Sequence, residues 1–273
     1  MNGRLKGLIP DSLRPAVKAT YYFFVDILHR LKGLPPRSMV FVGSGDFEKI
    51  GKEFKGHFIE LGNLKPDDKV LDVGCGIGRM ALPLTGYLAH TGEYHGIDIV
   101  RSGIEWCQAN ITAKFANFQF RHIDVYNKEY NPDGKLSARD FRFPFDDGVF
   151  DFIFLTSVFT HMLPADVEHY LDEISRVLKP GRKCLVTFFL LNDESSALIR
   201  SGRSHLDFRY EIQGCLTTNE SVPETAIAYP EEFVTRHLAA RALALAQPIH
   251  YGGWCGRHTF LTYQDLIVAE KAS

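Results

Sequence analysis

Short apolar runs alternate with amphipathic stretches along most of the chain, from about residue 65 onward. The apolar runs are rich in β-branched and aromatic residues and predict buried strands at 69–73, 93–98, 118–124, 150–156 and 182–191. Between the runs, apolar residues recur at helical spacing and predict helices over 78–90, 102–115 and 165–178. This alternation is typical of an α/β fold with a doubly wound, parallel sheet.

The pattern loosens after residue 192. Turn residues dominate up to about residue 230, so the segment 192–230 is predicted to be an insertion. A helix is then predicted over 231–246. Two further runs, 248–251 and 263–270, are predicted to close the chain as an antiparallel hairpin.

The first 64 residues do not follow the alternation, and we predict a helical extension or lid there. Apolar residues recur at helical spacing over 11–32, which includes the aromatic pair Tyr21 and Tyr22. Gly33-Leu34-Pro35-Pro36 ends this helix, and a second helix is predicted over 46–62. The first helix has three possible places: packed on the domain, over an acceptor pocket, or at a membrane interface. Residues 65–273 then form the main domain.

A glycine-rich turn follows the first predicted strand. Asp72 precedes it, and Gly74, Gly76 and Gly78 lie within it, while Asp98 ends the next strand. Glycines let the backbone approach a ligand, and an acid at the second strand end can accept from both hydroxyls of a ribose. The third glycine comes one residue too early for the dinucleotide pattern, and Asp72 would repel a pyrophosphate. A nucleoside cofactor with an ammonium group is therefore favoured.

The pattern Asp72-x-Gly74-x-Gly76-x-Gly78 resembles the first motif of the class I S-adenosylmethionine-dependent methyltransferases. Later segments are similar to other strands and turns of the family, at 118–125, 150–157, 177–188 and 263–270. The resemblance covers about residues 65 to 273. It implies a seven-stranded, mostly parallel sheet, S-adenosylmethionine as cofactor and S-adenosylhomocysteine as product. It is specific for fold and cofactor, and not for the methyl acceptor.

The resemblance assigns a task to each predicted cofactor residue. The backbone of Gly74 and Gly76 approaches the methionine part and the ribose, and Asp72 supplies negative charge near the ammonium. Asp98 accepts from the two ribose hydroxyls. Asp124 and the Val125 N–H are expected to face the edge of the adenine, and Ile99 and Tyr126 are expected to pack on its faces. Cys75 lies in the glycine turn and Thr156 at the end of the fourth strand, and both complete the predicted cofactor site.

The end of the fourth predicted strand narrows the acceptor. Leu155-Thr156-Ser157-Val158 lacks the Asn- or Asp-Pro-Pro-aromatic pattern that holds a nucleobase amine in related enzymes. The chain has no Pro-Cys pair for cytosine C5 methylation. This strand end also has no acid that could bind Mg²⁺. DNA and catechol methylation are therefore disfavoured, and no metal is expected.

An acceptor pocket of aromatic and apolar side chains is predicted beyond the fourth strand. Its predicted lining is Tyr21, Phe159, Met162 and Trp254. His161 is the candidate general base, because histidine exchanges protons near neutral pH. Tyr22 and Tyr251 are the alternatives for this role. A purely structural His161 stays open, and so does simple packing for Trp254.

The composition limits which partners and which cellular compartment are expected for the protein. The formal net charge of −2 gives no overall basic balance, so a nucleic-acid partner is disfavoured. Five cysteines without a C-x-x-C pair argue against a disulfide framework or metal cluster. No uninterrupted apolar run reaches the length of a membrane span, and a cytoplasmic protein is expected.

The prediction is methyl transfer to N or O of a small molecule. Two alternatives stay open: methylation of RNA or protein, and a non-catalytic binding subunit with this fold. The sequence does not decide between a monomer and a homodimer.

Overall fold

The computed structural model describes Asp26, His29, Leu31, residues 33–41 and residues 45–273. Two compact units are present, Met1–Gly45 and Asp46–Ser273. Among the described residues, no helix combines the length and the apolarity that crossing a bilayer requires.

The first unit contains a short 3₁₀ turn, Arg37–Met39. The Arg37 N–H donates to Asp26 Oδ1 at 2.9 Å. Most of the helix predicted over 11–32 lies outside the described residues, as do Tyr21 and Tyr22. The places of these two tyrosines beside an acceptor stay predictions.

The second unit contains the strands, which we number in chain order. They are β1 Lys69–Val73, β2 Glu93–Asp98, β3 Phe118–His122, β4 Phe150–Leu155, β5 Leu178–Phe188, β6 Leu190–Leu191, β7 Tyr210–Ile212, β8 Cys215–Thr217, β9 Ile227–Pro230, β10 Leu243–Leu245 and β11 Asp265–Lys271. A seven-stranded sheet has the order β10–β11–β5–β4–β1–β2–β3. Strands β1 to β5 are parallel, and β11 is antiparallel to β5. The predicted doubly wound α/β sheet is confirmed.

The edge partner of β11 differs from the prediction. We expected 248–251 to pair with the last strand, but that segment contributes only an isolated bridge between His250 and Leu266. The antiparallel partner is β10, which lies within the helix predicted over 231–246. The helix ends earlier because Ala242 has a positive φ of 57°, which a right-handed helix does not allow. Leu243 then becomes buried at the sheet edge.

Helices cover both faces of the large sheet. They are α1 Phe47–Glu60, α2 Ala81–Leu84, α3 Arg101–Cys107, α4 Pro164–Val177, α5 Asp193–Arg200 and α6 Glu231–Ala239. Like α6, helices α2 and α3 are shorter than predicted. Pro83 has no N–H to donate to the Arg79 carbonyl, a bond that a helix beginning at residue 78 would contain, and Gly86 follows the end of α2. Beyond α3 the chain widens into a π-helical turn, Gln108–Thr112, in which the Asn110 side chain binds the Trp106 carbonyl.

The core lies in clusters on the two sides of the large sheet. Successive side chains of β1 point to opposite faces, so Leu71 and Val73 join one cluster and Val70 joins another. Helix α1 covers the second face, where the rings of Phe58 and Phe154 stack at 4.1 Å. This packing explains why the compact second unit begins at Asp46 rather than after α1.

A smaller sheet, in the order β6–β9–β8–β7, occupies the part of the chain predicted to be an insertion. A third cluster, centred on Phe189 and Trp254, packs beside it. Each cluster contains cysteine. All five cysteines are free and buried: Cys184 and Cys215 in the first cluster, Cys75 and Cys107 in the second, and Cys255 in the third.

Candidate cofactor and acceptor site

A glycine turn, residues 74–78, connects β1 to the segment before α2. Gly74, Gly76 and Gly78 have φ values of +79°, +55° and +77°, a region that side chains other than glycine rarely adopt. The N–H groups of Gly74 and Cys75 both donate to the Ile97 carbonyl, at 2.8 and 3.2 Å. These bonds hold the turn against the end of β2, at the carboxyl edge of the parallel strands. This edge is where open α/β sheets bind ligands.

Gly74 also touches the segment beyond β4. A Cβ atom added at Gly74 would overlap Val158 Cγ2. The glycine is therefore required for close approach as well as for its backbone conformation. The contact places the chain after β4 directly beside the glycine turn.

Gly74→Ala is expected to lower the free energy of unfolding by about 2 kcal/mol, since the substitution combines an unfavourable positive φ with overlap against Val158. Urea denaturation followed by circular dichroism measures this change. Adding Val158→Ala should recover only part of the loss, because it relieves the overlap and leaves the backbone conformation. Gly56→Ala is the control: its site in α1 is open, and alanine there should stabilise the helix slightly. Equal stability of wild type and Gly74→Ala would contradict the assigned strain.

Asp98 ends β2 and faces the glycine turn. Its Oδ2 accepts the Gly76 N–H at 2.6 Å, and its Oδ1 accepts the Val100 N–H at 2.7 Å. Burial raises the pKa of this carboxyl, and the two backbone N–H groups oppose the shift. Each carboxylate oxygen can accept a further hydrogen bond, so two hydroxyl donors can still be bound. The structure thus brings together the acid and the turn that the sequence paired.

Asp72 lies completely buried in β1, on the face opposite to Leu71. The Tyr94 hydroxyl donates to its Oδ2, while Oδ1 has no hydrogen-bond partner among the described residues. Burial raises the pKa of Asp72 well above its usual range. The bond from Tyr94 opposes this shift, and the charge of Asp98 adds to it. The negative charge predicted here is therefore disfavoured, and Oδ1 is buried without a partner among the described residues.

The loop after β3 carries the residues predicted to face adenine. A bridge pairs Val125 with Leu136, through the carbonyl of Asp124 and the N–H of Tyr126. This bridge does not use the Asp124 carboxylate or the Val125 N–H, the two groups predicted to read the base. Tyr126 is 44% exposed, and Ile99 packs partly buried on the first core cluster. Both side chains are placed beyond strand ends at the same edge as Asp98.

Comparisons with known proteins address the fold and the cofactor. Residues 71–186 match the family model described as a methyltransferase domain. A demethylmenaquinone methyltransferase of Bacillus cereus (strain AH187) is 27% identical over 138 residues, which are 50% of this chain and 52% of the relative. The chain therefore aligns with only about half the length of such curated relatives.

Residues 71–186 form a methyltransferase domain of the S-adenosylmethionine-dependent class. Solved structures share the fold at low sequence identity. The PH0226 protein from Pyrococcus horikoshii OT3 has a TM-score of 0.58 at 17% identity, covering 86% of this chain and 95% of that one. Magnesium protoporphyrin IX methyltransferase from Synechocystis PCC 6803, solved with bound S-adenosylhomocysteine, has a TM-score of 0.53 at 14% identity, covering 86% and 92%.

S-adenosylmethionine is the cofactor of this class. Asp98 offers acceptor capacity beside the glycine turn that suits a ligand with hydroxyl donors, whereas Asp72 Oδ1 is buried. Residues Gly74 and Gly76 would hold the methionine and ribose parts through the backbone. The prediction of the family and of its cofactor is confirmed, whereas the individual residue assignments stay predictions.

Cys75 and Thr156 complete the predicted cofactor set of the methyltransferase. Cys75 is buried between the turn and β2, where its Sγ would lie 2.9 Å from a Cβ atom added at Gly96. Burial raises the pKa of its thiol well above the usual range, so the side chain fills space as a neutral thiol and not as a nucleophile. Thr156 follows β4 and is half-buried at the same edge.

His161 lies in the 3₁₀ turn Phe159–His161 that follows β4. Its Nδ1 donates to the Glu224 carbonyl at 2.8 Å, which fixes the neutral ring with the lone pair on Nε2. Burial lowers the pKa of the ring, and the Glu224 carbonyl opposes the shift. The ring edge of Tyr130 packs against it at 5.2 Å. His161 is thus held as a neutral acceptor, a form that suits a base and also suits a structural role.

The other predicted acceptor residues separate into two environments. Met162 lines a groove of about 490 Å³ together with Tyr126, so one groove joins a predicted acceptor residue to a predicted adenine residue. Phe159 has no exposed surface and stacks on Phe188 at 4.9 Å. The structure therefore places Phe159 in the core beneath the site and not at an open surface.

Trp254 and Tyr251 belong to a buried network that the sequence did not reveal. Trp254 has no exposed surface and donates its indole N–H to Asp265 Oδ2 at 2.7 Å. Asp265 also accepts from the Leu190 and Gly252 N–H groups and pairs with Arg257. The Tyr251 hydroxyl contacts the carboxylate of Glu231 at 2.9 Å, so its predicted proton-transfer role would compete with this bond. The signal in the sequence that could have indicated this network is Asp265, an acid at the start of an apolar strand.

Proposed function

We propose that this chain transfers the methyl group of S-adenosylmethionine to N or O of a small-molecule acceptor. The observation that supports this most directly is the bond between Asp98 and Gly76, within the residues that match the methyltransferase model. It joins an acid that can bind ribose hydroxyls to a backbone turn at the carboxyl edge of the sheet, where β3 and β4 also end. Such convergence suits transfer from a nucleoside cofactor to a second ligand.

The chemistry requires little from the protein beyond alignment and proton removal. The cofactor, when bound, supplies a methyl group on a positively charged sulfur with a neutral leaving group. The glycine turn and Asp98 position it, and the segment from Thr156 to Met162 forms the adjoining wall. His161 Nε2 carries a lone pair at neutral pH and is the group that would take a proton from a hydroxyl acceptor.

The small-molecule assignment has support from the relatives. Their printed names include demethylmenaquinone methyltransferase and magnesium protoporphyrin IX methyltransferase. Both names describe small-molecule substrates, and we propose this class for the chain. The formal net charge of −2 provides no excess of positive charge for binding nucleic acid.

Two measurements test this proposal. Calorimetry should show binding of S-adenosylmethionine and S-adenosylhomocysteine. Incubation with methyl-labelled cofactor should then label material in a metabolite extract and not in total RNA or total protein. Labelled RNA or protein would replace the small-molecule assignment with the corresponding alternative. Cofactor binding without label in any fraction would favour a non-catalytic subunit.

The pH profile of kcat/KM is expected to report His161 if the acceptor is a hydroxyl. Because burial lowers the pKa of this ring from 6.5, more than half of the base is unprotonated at pH 6.5, where a free imidazole is half protonated. The acid limb should therefore be centred below pH 6.5, and His161→Gln should remove it. An acid limb centred at or above pH 6.5 in the wild type would speak against His161 as the base.

A further inference from the structure

Three polar residues form a closed ring of hydrogen bonds beyond the end of β4. The Ser157 N–H donates to Thr187 Oγ1 at 2.9 Å, and Thr187 Oγ1 donates to Gln264 Oε1 at 2.7 Å. Gln264 Nε2 donates to Ser157 Oγ at 2.6 Å. The three residues come from the segment after β4, from β5 and from the residue before β11. Their meeting point is therefore the carboxyl edge that carries the glycine turn.

The direction of these bonds leaves the hydroxyl hydrogen of Ser157 without an acceptor among the described residues. Thr187 Oγ1 already accepts a backbone N–H, and it gives its own hydrogen to the amide oxygen of Gln264. The amide NH₂ of Gln264 therefore faces Ser157, whose Oγ acts as an acceptor. No residue that the structure describes accepts the hydroxyl hydrogen of Ser157. Thr187 is completely buried and Ser157 is half-buried, so this donor lies on the solvent side of the ring.

The backbone at Ser157 is strained. Its φ of +60° lies in the left-handed region, which serine rarely adopts. Strain of this kind persists where the surroundings enforce it, and it concentrates at functional sites. Here the bond from the Ser157 N–H to Thr187 enforces the conformation. The next residue, Val158, packs against Gly74 of the glycine turn, so the strained serine adjoins the cofactor side of the site.

We propose that Ser157 Oγ–H donates a hydrogen bond to an oxygen of the methyl acceptor, and that the ring of Thr187 and Gln264 orients this donor. The inference rests on the proposed function and narrows its substrate to compounds with a hydroxyl, carbonyl or phenolate oxygen. An oxygen has a second lone pair when one is bound by the serine. A neutral amine nitrogen has only the pair that must attack the methyl group, so this donor would oppose its reaction.

The test uses two aromatic probes of matched shape, 1-naphthol and 1-methylnaphthalene, which differ by OH against CH₃. Calorimetry measures their binding to the full chain saturated with S-adenosylhomocysteine. Wild type is expected to bind 1-naphthol about tenfold more tightly than 1-methylnaphthalene, the effect of one hydrogen bond. This preference should vanish in Ser157→Ala and in Ser157→Gly. Affinity for S-adenosylhomocysteine should stay unchanged in both variants.

The pair of Ser157 variants separates the hydroxyl from the strained backbone. Both remove the donor, but glycine accepts the positive φ and alanine does not, so Ser157→Gly remains informative if Ser157→Ala fails to fold. Ser201→Ala removes a hydroxyl that binds the Leu198 carbonyl on an exposed turn, and this control should keep the tenfold preference.

Gln264→Glu tests the direction of the ring while leaving Ser157 in place. The introduced carboxylate can only accept, so it should draw the serine hydrogen inward and abolish the preference for 1-naphthol. A preference that survives in Gln264→Glu or in either Ser157 variant would overturn the proposal, as would its absence from the wild type. Failure of wild type to bind S-adenosylhomocysteine would instead refute the proposed function itself.

Discussion

Asp98→Ala is expected to weaken binding of S-adenosylmethionine by about 2–4 kcal/mol, or roughly 30- to 1000-fold in Kd, as measured by calorimetry. The carboxylate is expected to accept both ribose hydroxyls, and such charge-assisted bonds are lost together. The structure adds a second cause: the same carboxylate accepts the Gly76 and Val100 N–H groups, so the variant also loosens the glycine turn. We therefore also expect a lower unfolding temperature without cofactor.

Glu93→Ala is the matched control for this experiment. Glu93 begins the same strand that Asp98 ends, and its exposed carboxylate pairs with Lys69 at 2.9 Å at the opposite edge of the sheet. Its loss removes an equal charge and should leave cofactor affinity unchanged. If Asp98→Ala bound the cofactor as well as Glu93→Ala does, the ribose assignment would have to be abandoned.

Asp265→Ala is expected to cost about 3–5 kcal/mol in the free energy of unfolding. The variant leaves the Leu190, Gly252 and Trp254 N–H groups without their acceptor and leaves the buried guanidinium of Arg257 without its buried partner. Urea denaturation monitored by tryptophan fluorescence and circular dichroism measures the change.

Asp133→Ala provides the comparison for Asp265→Ala, since Asp133 is an exposed acid in the loop after β3. Its replacement should change stability by no more than about 0.5 kcal/mol. A loss below about 1 kcal/mol in Asp265→Ala would mean that the network around it is not a stabilising element.

The sequence predicts the strands well because their signal is local. β1 and β2 have the predicted bounds, since each contains buried apolar residues and lies beside turn residues. The segment 243–245 was misread because its alanines and leucines favour a helix, and pairing with β11 overrides that preference. Helix α2 was overextended because apolar periodicity continued past Pro83.

Within the candidate site, too, some residues could be predicted from local sequence and others could not. Asp98 and the glycine turn are recognisable because a short motif positions them within one strand–helix–strand unit. Ser157, Thr187 and Gln264 are separated by 30 and 77 residues along the chain, and only the sheet order brings them together. Likewise, the sequence could not show that Phe159 and Trp254 turn into the core, because aromatic side chains suit a pocket wall and an interior equally.

The buried cysteines can be used to measure local opening of the fold, because they are distributed over all three core clusters. Cys184 and Cys215 lie in the first core cluster, Cys75 and Cys107 in the second, and Cys255 in the third, and none is more than 5% exposed. An alkylating reagent can reach a thiol only when its cluster opens. Peptide mapping by mass spectrometry would show the order in which the five cysteines are alkylated, and this order would rank how readily the two sheet faces and the small sheet open. Slower alkylation of Cys75 after S-adenosylmethionine is added would show that the cofactor protects the glycine turn.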